Sequence, residues 1–212
     1  MKDLRQIVNR EEIDYVTLKS LLQELARPRD KITSLLRSGY LVRVKKGLYV
    51  FGPDVCRGPI CKEHLANLIY GPSYISFEYA LSYHGLTPER VEQIGSVTSK
   101  RGKKFTTPLG VYSYTHLKPQ AYSVGVSQIT IDTQHNVLFA SAEKALADVL
   151  ALSPNAPTLQ SIDELEQFLF EDLRIERSAF YSLDSSLLAK IALSYRNSNV
   201  TFLARLLGGQ IL

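Results

Sequence analysis

Residues 27–51 read RPRDKITSLLRSGYLVRVKKGLYVF, and this stretch decides how the rest of the chain is interpreted. Pro28 suits the first turn of a helix, where its missing N–H is not needed. Ile32, Leu35 and Leu36 then follow at the i, i+3, i+4 spacing of a helix face that packs on a core. Gly39 is a suitable left-handed residue to end that helix. The first half of the stretch therefore predicts a short amphipathic helix.

The second half of the stretch predicts a β-hairpin. Apolar and basic residues alternate from Leu41 to Lys45, Lys46-Gly47 turns the chain, and Leu48 to Phe51 returns as a strand. Residues 27–46 contain seven Lys or Arg and one acid, a net charge of +6, whereas the whole chain carries +4. The positive charge is therefore local, as on a phosphate-binding surface. The alternative is a solvated helix and a polar hairpin in an ordinary domain.

Two more helices are predicted upstream, over residues 2–9 and 14–25. The second has leucines at helical spacing and Thr17 as its N-cap. A helix, a tight turn, a second helix and a hairpin form the layout of a winged helix-turn-helix. We therefore predict a winged helix-turn-helix domain over residues 1–52. The turn-rich segment 52–59 then acts as a linker, and a second domain covers residues 60–212.

The composition is that of a globular protein, with 45% hydrophobic and 22% charged residues in a chain of 212. No apolar run approaches the roughly 20 residues of a membrane helix, and the first residues lack an apolar signal segment. We therefore expect a cytoplasmic protein without membrane contact. Cys56, Cys61 and His64 form a C-x4-C-x2-H pattern. Zinc needs four ligands and the next histidine, His84, is remote, so two reduced thiols are favoured over a metal site.

The second domain is predicted to be mixed, which makes the whole chain α+β. Strands between residues 93 and 140 suggest a small antiparallel sheet, and helices fill the C-terminal part. Ser76 is expected to cap a helix that ends at Gly85. Ser141 is expected to begin a helix to Leu152 that keeps its charged residues Glu143, Lys144 and Asp148 on the surface. A basic turn is either an exposed hairpin tip or a secondary contact for phosphate, RNA or an acidic protein: Lys100, Arg101, Lys103 and Lys104.

Three segments downstream of the Gly47-Leu48-Tyr49 hairpin carry a family resemblance. They are SFEYALSYHGL at 76–86, GVYSY at 110–114 and SAEKALAD at 141–148. In this order they resemble the AbiE-type antitoxin family, the regulator half of type IV toxin–antitoxin and phage-defence systems, over roughly residues 10–152. The resemblance implies a winged helix that binds repeats in its own promoter and represses it. It also implies a second domain that counters a cognate nucleotidyltransferase toxin without forming a stable complex.

Residues and resemblance together predict a transcriptional repressor that binds double-stranded DNA, with no enzymatic activity, cofactor or metal. Three residues are expected to read base edges: Thr33, Ser34 and Arg37. Six others are expected to hold phosphates: Arg27, Arg29, Lys31, Arg43, Lys45 and Lys46. Modules of this kind commonly dimerise on inverted half-sites, so a homodimer on DNA is expected.

Two alternatives remain open. One is a protein-interaction adaptor whose N-terminal domain binds protein. The other is a nucleic-acid-processing enzyme built on a polar cluster in the second domain: Ser76, Glu78, Tyr79, Tyr83 and His84. Against the enzyme, the sequence contains no P-loop, H-E-x-x-H or G-x-S-x-G motif.

Overall fold

The computed structural model describes residues 4–209 of the chain, and it is a mixed α+β structure, as predicted. The N-terminal part consists of three helices and a small antiparallel sheet in the strand order β1-β3-β2. Its elements are α1 (Leu4–Ile7), β1 (Glu12–Asp14), α2 (Tyr15–Leu21), α3 (Pro28–Arg37), β2 (Leu41–Lys45) and β3 (Leu48–Phe51). The predicted first helix is thus observed, but it ends at Ile7 instead of residue 9, and residues 2 and 3 lie outside the described residues.

The helix and hairpin predicted from residues 27–51 are confirmed. Pro28 occupies the first turn of α3, and Gly39 follows the helix with φ +74°. The apolar side of α3, with Ile32 and Leu35, packs on a core shared with Leu18 of α2 and Phe51 of β3. Because that face is buried, the polar face of α3 is turned to solvent.

The second helix begins within one residue of its predicted start, but its predicted cap, Thr17, and its predicted end were wrong. Helix α2 begins after Asp14, whose carboxylate accepts hydrogen bonds from the N–H groups of Val16 (2.8 Å) and Thr17 (3.0 Å). The helix ends at Leu21 instead of residue 25. Asp14 displaces Thr17 as the cap because β1 runs directly into the helix, a strand that the sequence pattern did not reveal. An aspartate at this position satisfies N–H groups that have no partner inside the helix.

The rest of the described chain is built on a larger, six-stranded sheet in the order β6-β7-β5-β4-β9-β8. Its strands are β4 (Ser73–Ser76), β5 (Ile94–Thr98), β6 (Lys103–Thr107), β7 (Gly110–His116), β8 (Val126–Thr130) and β9 (Asn136–Ala140). The helices are α4 (Lys62–Ile69), α5 (Phe77–Tyr83), α6 (Pro119–Tyr122), α7 (Ala142–Leu152), α8 (Ile162–Gln167), α9 (Arg177–Tyr181), α10 (Ser185–Tyr195) and α11 (Ser198–Gly208). A π-helical turn, Phe168–Asp172, follows α8.

The predicted small antiparallel sheet of this part was wrong in size and type. The sheet is mixed, because β5 pairs with β7 and β4 pairs with β9 in parallel. Strand β4 was not predicted, because its four residues are all buried and give no alternation between a buried and an exposed face. Since β4 lies between β5 and β9, it joins two hairpins into one sheet.

Helix α7 lies in the middle of the structure, packed against α5, α10 and α11. Its residues Glu143, Lys144 and Asp148 are buried, so the predicted surface location of these three charges was wrong. Glu143 accepts a hydrogen bond from the N–H of Asp184 (3.0 Å), just before α10.

Asp148 organises a buried polar network between the sheet and the C-terminal helices. It accepts hydrogen bonds from Ser76 Oγ (2.6 Å), Tyr74 OH (3.0 Å) and Tyr195 OH. Lys144 donates to a main-chain carbonyl of α6, with its Nζ 4.4 Å from the Tyr195 ring centroid. Burial raises the pKa of the Asp148 carboxyl and lowers the pKa of Lys144 to about 8. Ser76 therefore contacts α7 and does not cap α5 with its side chain, as had been predicted.

The N-terminal sheet and the following helix share one apolar core. Val44, Leu48 and Val50 belong to the same cluster as Leu65 and Ile69 of α4. The turn-rich segment 52–59 contains neither helix nor strand, and a division into two domains there stays a prediction. None of the helices within residues 4–209 has the length and apolarity needed to cross a membrane.

Candidate nucleic-acid interface

The outer face of α3 presents most of the polar residues that the sequence analysis selected. Of the six predicted contact residues in α3 and at its N-cap, five are exposed: Arg27, Arg29, Thr33, Ser34 and Arg37. Lys31 is half-buried. The Arg27–Asp30 ion pair is long, at 3.9 Å, and both side chains are more than 70% exposed. Such a surface pair is weak, so Arg27 can exchange its partner for another anion.

Helix α3 and the β2–β3 hairpin meet at an open cleft of about 870 Å³. Arg29 of α3 lines it together with Arg43 and Lys46 of the hairpin, and the rings of Tyr15 and Tyr49 complete the lining. Three cations thus share one concave surface with two aromatic rings. Arginine and lysine bind phosphate oxygens, and a phenol can donate a hydrogen bond to one. The cleft has the chemistry of an anion site, and we name it the basic cleft.

The two tyrosines of the basic cleft were not predicted. Tyr15 takes its place because its N–H donates to the Gly47 carbonyl at 2.9 Å, which ties the start of α2 to the hairpin turn. Gly47 has φ +88°, a conformation that glycine adopts without strain. For Tyr49, the only signal in the sequence was the alternation of residues along β3. Its partner across the sheet could not be deduced from spacing.

Lys45 does not lie where a phosphate contact was predicted. It is half-buried, and its Nζ donates to the carbonyl of Ile69 at the end of α4. Burial, and then the charges of Lys100 and Lys103, lower the pKa of Lys45. The side chain therefore links the hairpin to α4 and is not exposed beside Arg43 and Lys46.

The basic turn that leads into β6 lies next to the hairpin, although Lys45 and Lys100 are 55 positions apart in the sequence. Lys100, Arg101, Lys103 and Lys104 are all exposed. The Nζ of Lys103 lies 4.8 Å from the centroid of Phe105. A second group of cations, on the edge of the six-stranded sheet, therefore lies beside the positive surface of the N-terminal part.

The polar residues proposed for an enzyme site are brought together only in part: the rings of Tyr83 and His84 meet edge to face, with centroids 5.5 Å apart. Ser76 faces Asp148, whereas Tyr79 donates to Glu63 of α4. The Nε2 of His84 lies 2.8 Å from the carbonyl of Ala140, and Glu78 is exposed. Ser76, Tyr79 and His84 therefore have three separate hydrogen-bond partners, and none of these three side chains is hydrogen-bonded to another of them.

The cysteine and histidine pattern also divides between different contacts. Cys56 donates to Glu11 Oε2 (3.2 Å) and to the Gly58 carbonyl (2.9 Å). Cys61 accepts a hydrogen bond from the N–H of His64 at the start of α4, and burial raises the pKa of its thiol to about 11. Within the described residues, no group of three or more Cys, His, Asp or Glu is arranged to hold a metal ion.

No protein-family model matches this chain, and no curated protein sequence matches it.

Proposed function

We propose that the chain is a sequence-specific DNA-binding repressor whose N-terminal part acts as a winged helix-turn-helix. The observation that carries the proposal is the basic cleft, because it joins Arg29 of α3 to Arg43 and Lys46 of the hairpin. A major groove accommodates one helix. With α3 in the groove, the hairpin cations lie where the flanking backbone would run.

The exposed residues of α3 divide into two roles. Thr33, Ser34 and Arg37 lie opposite the buried Ile32 and Leu35, so they would face the base edges. An arginine that bonds guanine supplies about 1–3 kcal/mol of discrimination. The cations around them would contact phosphates, which sets affinity and salt dependence without reading sequence.

We further propose that this repressor is the antitoxin of a type IV toxin–antitoxin system. Support comes from the sequence resemblance to AbiE-type antitoxins and from the place of its segments in the fold. The segments at 76–86 and 141–148 meet at the Ser76–Asp148 hydrogen bond, so two of the shared segments would build the same scaffold. In this function the protein would repress its own promoter in the cytoplasm, as a homodimer on DNA. It would also counter a nucleotidyltransferase toxin.

Fluorescence anisotropy with the DNA upstream of its own coding sequence tests the repressor proposal. We expect tight binding that is lost on a scrambled duplex. Arg37→Ala should weaken binding by about 5- to 150-fold, the equivalent of one lost base contact. Arg174→Ala is the matched control, because Arg174 is exposed, pairs with Glu89 and is absent from the basic cleft. Equal and weak binding to native and scrambled DNA would reject the sequence-specific proposal.

A salt series separates a DNA-binding protein from a protein-interaction adaptor. Counterion release makes log K fall with log salt by about 0.9 for every phosphate contacted. A flat salt response together with no DNA binding would favour the adaptor. The antitoxin role needs its own test: co-expression with a nucleotidyltransferase toxin should restore growth, and failure there would leave the repressor proposal standing.

A further inference from the structure

One buried carboxylate connects the N-terminal sheet to two histidines of the larger part. The Oε1 of Glu12, in β1, lies 3.5 Å from Nε2 of His64 in α4. It also lies 3.3 Å from Nε2 of His135, in the turn between β8 and β9. The Glu12 side chain is 4% exposed, and the two imidazole ring centroids are 5.0 Å apart. Three elements therefore converge on one oxygen that is shielded from water.

The other nitrogen of each ring fixes where its hydrogen must be. His64 Nδ1 lies 3.4 Å from the Asn136 carbonyl, and a carbonyl only accepts. His135 Nδ1 lies 2.7 Å from a carboxylate oxygen of Asp132. Each neutral ring thus has its N–H on Nδ1 and turns the lone pair of Nε2 toward Glu12. Without a further proton, three acceptors face one another and no hydrogen bond joins them.

One proton relieves this conflict, and a second creates a new one. Glu12 Oε1 and His135 Nε2 are both buried without a hydrogen-bond partner among the described residues. A single proton on either Nε2 would place a donor 3.3–3.5 Å from that oxygen. Protonation of both rings places two cations beside Glu12, the one buried carboxylate they share, while the second carboxylate in contact, Asp132, touches only His135 of the two rings and is 48% exposed to solvent. Burial is the largest influence on His64 and lowers its pKa, more than the nearby Glu12 raises it. The second proton is therefore taken up only as the solution becomes acidic.

We propose that Glu12, His64 and His135 form a proton-operated latch, which is closed with one shared proton and loosens when His64 takes up a second. The latch joins β1 to α4 and to the β8–β9 turn. The stability it provides is present above pH 6.5, the ordinary value for histidine, and is lost as the pH falls through the lower folded-state pKa of His64.

The surroundings of the latch contain few other groups that titrate in this range. The charged groups near it or in the clefts beside it are Arg10, Glu11, Asp14, Lys45, Arg57 and Asp132. Among them, the pKa of Asp132 is lowered, chiefly by its hydrogen bond with His135, so it stays ionised above pH 4. The pKa of Asp14 is also below its ordinary value. Of the groups at the latch, His64 is the histidine whose pKa is lowered from its ordinary value, chiefly by burial.

Nuclear magnetic resonance of the full chain tests the latch directly. The chain has four histidines, so each ring can be followed through a titration. We expect His64 to titrate below pH 6.5, and the amide signals of β1 and α4 to shift with the same midpoint. A midpoint for His64 at or above 6.5, or unchanged amide signals, would overturn the proposal. This measurement uses the native protein, so it does not depend on a variant folding.

Thermal unfolding of two variants gives an independent readout. Between pH 7.5 and 5.5, the melting temperature of the wild type should fall further than that of His64→Gln, because the variant cannot take up the second proton. His116→Gln is the matched control, because His116 also lies beside a main-chain carbonyl, at 2.9 Å, but is exposed. The melting temperature of this control should fall by as much as that of the wild type. An equal fall in melting temperature in all three proteins would show that the latch does not open.

Discussion

The buried carboxylate of Asp148 accepts hydrogen bonds from three side chains in the core. Replacing it by alanine leaves the hydroxyls of Tyr74 and Ser76 buried without an acceptor, and it removes the counter-charge of Lys144. Tyr195 keeps access to water because it is only partly buried. Removing one partner of a buried charged network typically costs about 3–5 kcal/mol. We therefore expect Asp148→Ala to lower the free energy of unfolding by that amount.

Thermal and urea unfolding measure this loss. For a chain of this length, each kcal/mol shifts the melting temperature by roughly 2–4 °C, so the expected drop is roughly 6–20 °C. Asp148→Asn keeps the shape and one acceptor oxygen, and it should fall between the wild type and the alanine variant. Asp172→Ala, at an exposed aspartate, is the control and should change stability by less than about 0.5 kcal/mol. If Asp148→Ala is no more harmful than the control, the hydrogen-bond network does not stabilise the core as argued.

Three further predictions concern the cap, a close contact and the hairpin. Asp14→Ala should cost about 0.5–2 kcal/mol in urea unfolding, because α2 loses its N-cap. Partial burial alone would raise the pKa of Asp14, but hydrogen bonds from the first turn of α2 lower it. The cap should therefore lose strength as the pH falls below 3.8, and this loss should be absent in the alanine variant. Gly95→Ala should cost about 1–3 kcal/mol, since a Cβ there would lie 2.9 Å from the ring of Phe77; an unchanged melting temperature would contradict this. Lys46→Ala should reduce the salt slope of DNA binding by about 0.9, whereas Lys45→Ala should leave the slope unchanged and lower stability; equal slopes for the two variants would contradict the assignment.

Local signals in the sequence were sufficient for the elements around the basic cleft. Helix α3 follows from Pro28, the apolar spacing of Ile32 and Leu35, and Gly39. The hairpin follows from alternation and the Lys46-Gly47 turn. These features act over a few residues, because a helix cap, a turn and an amphipathic face are properties of neighbouring positions. The exposed side chains of α3 could therefore be selected before the structure was known.

Contacts between distant residues were beyond that reasoning. Tyr15 in the basic cleft, and the link from Lys45 to α4, depend on how separate elements meet. The same is true of Lys144 and Asp148, which were predicted on the surface. A charged residue on a helix is usually solvated, so burial of these two has no local signal.

The sequence by itself determined the polar face of α3 and the basic hairpin, since both follow from short-range periodicity and turn chemistry. Only the tertiary structure decided that β4 would join two hairpins into a six-stranded mixed sheet. It alone brought Glu12 between His64 and His135. Strand pairing and buried charge clusters are chosen by packing among residues far apart in the chain, where the cost of burying a polar group is offset only by partners that the fold supplies.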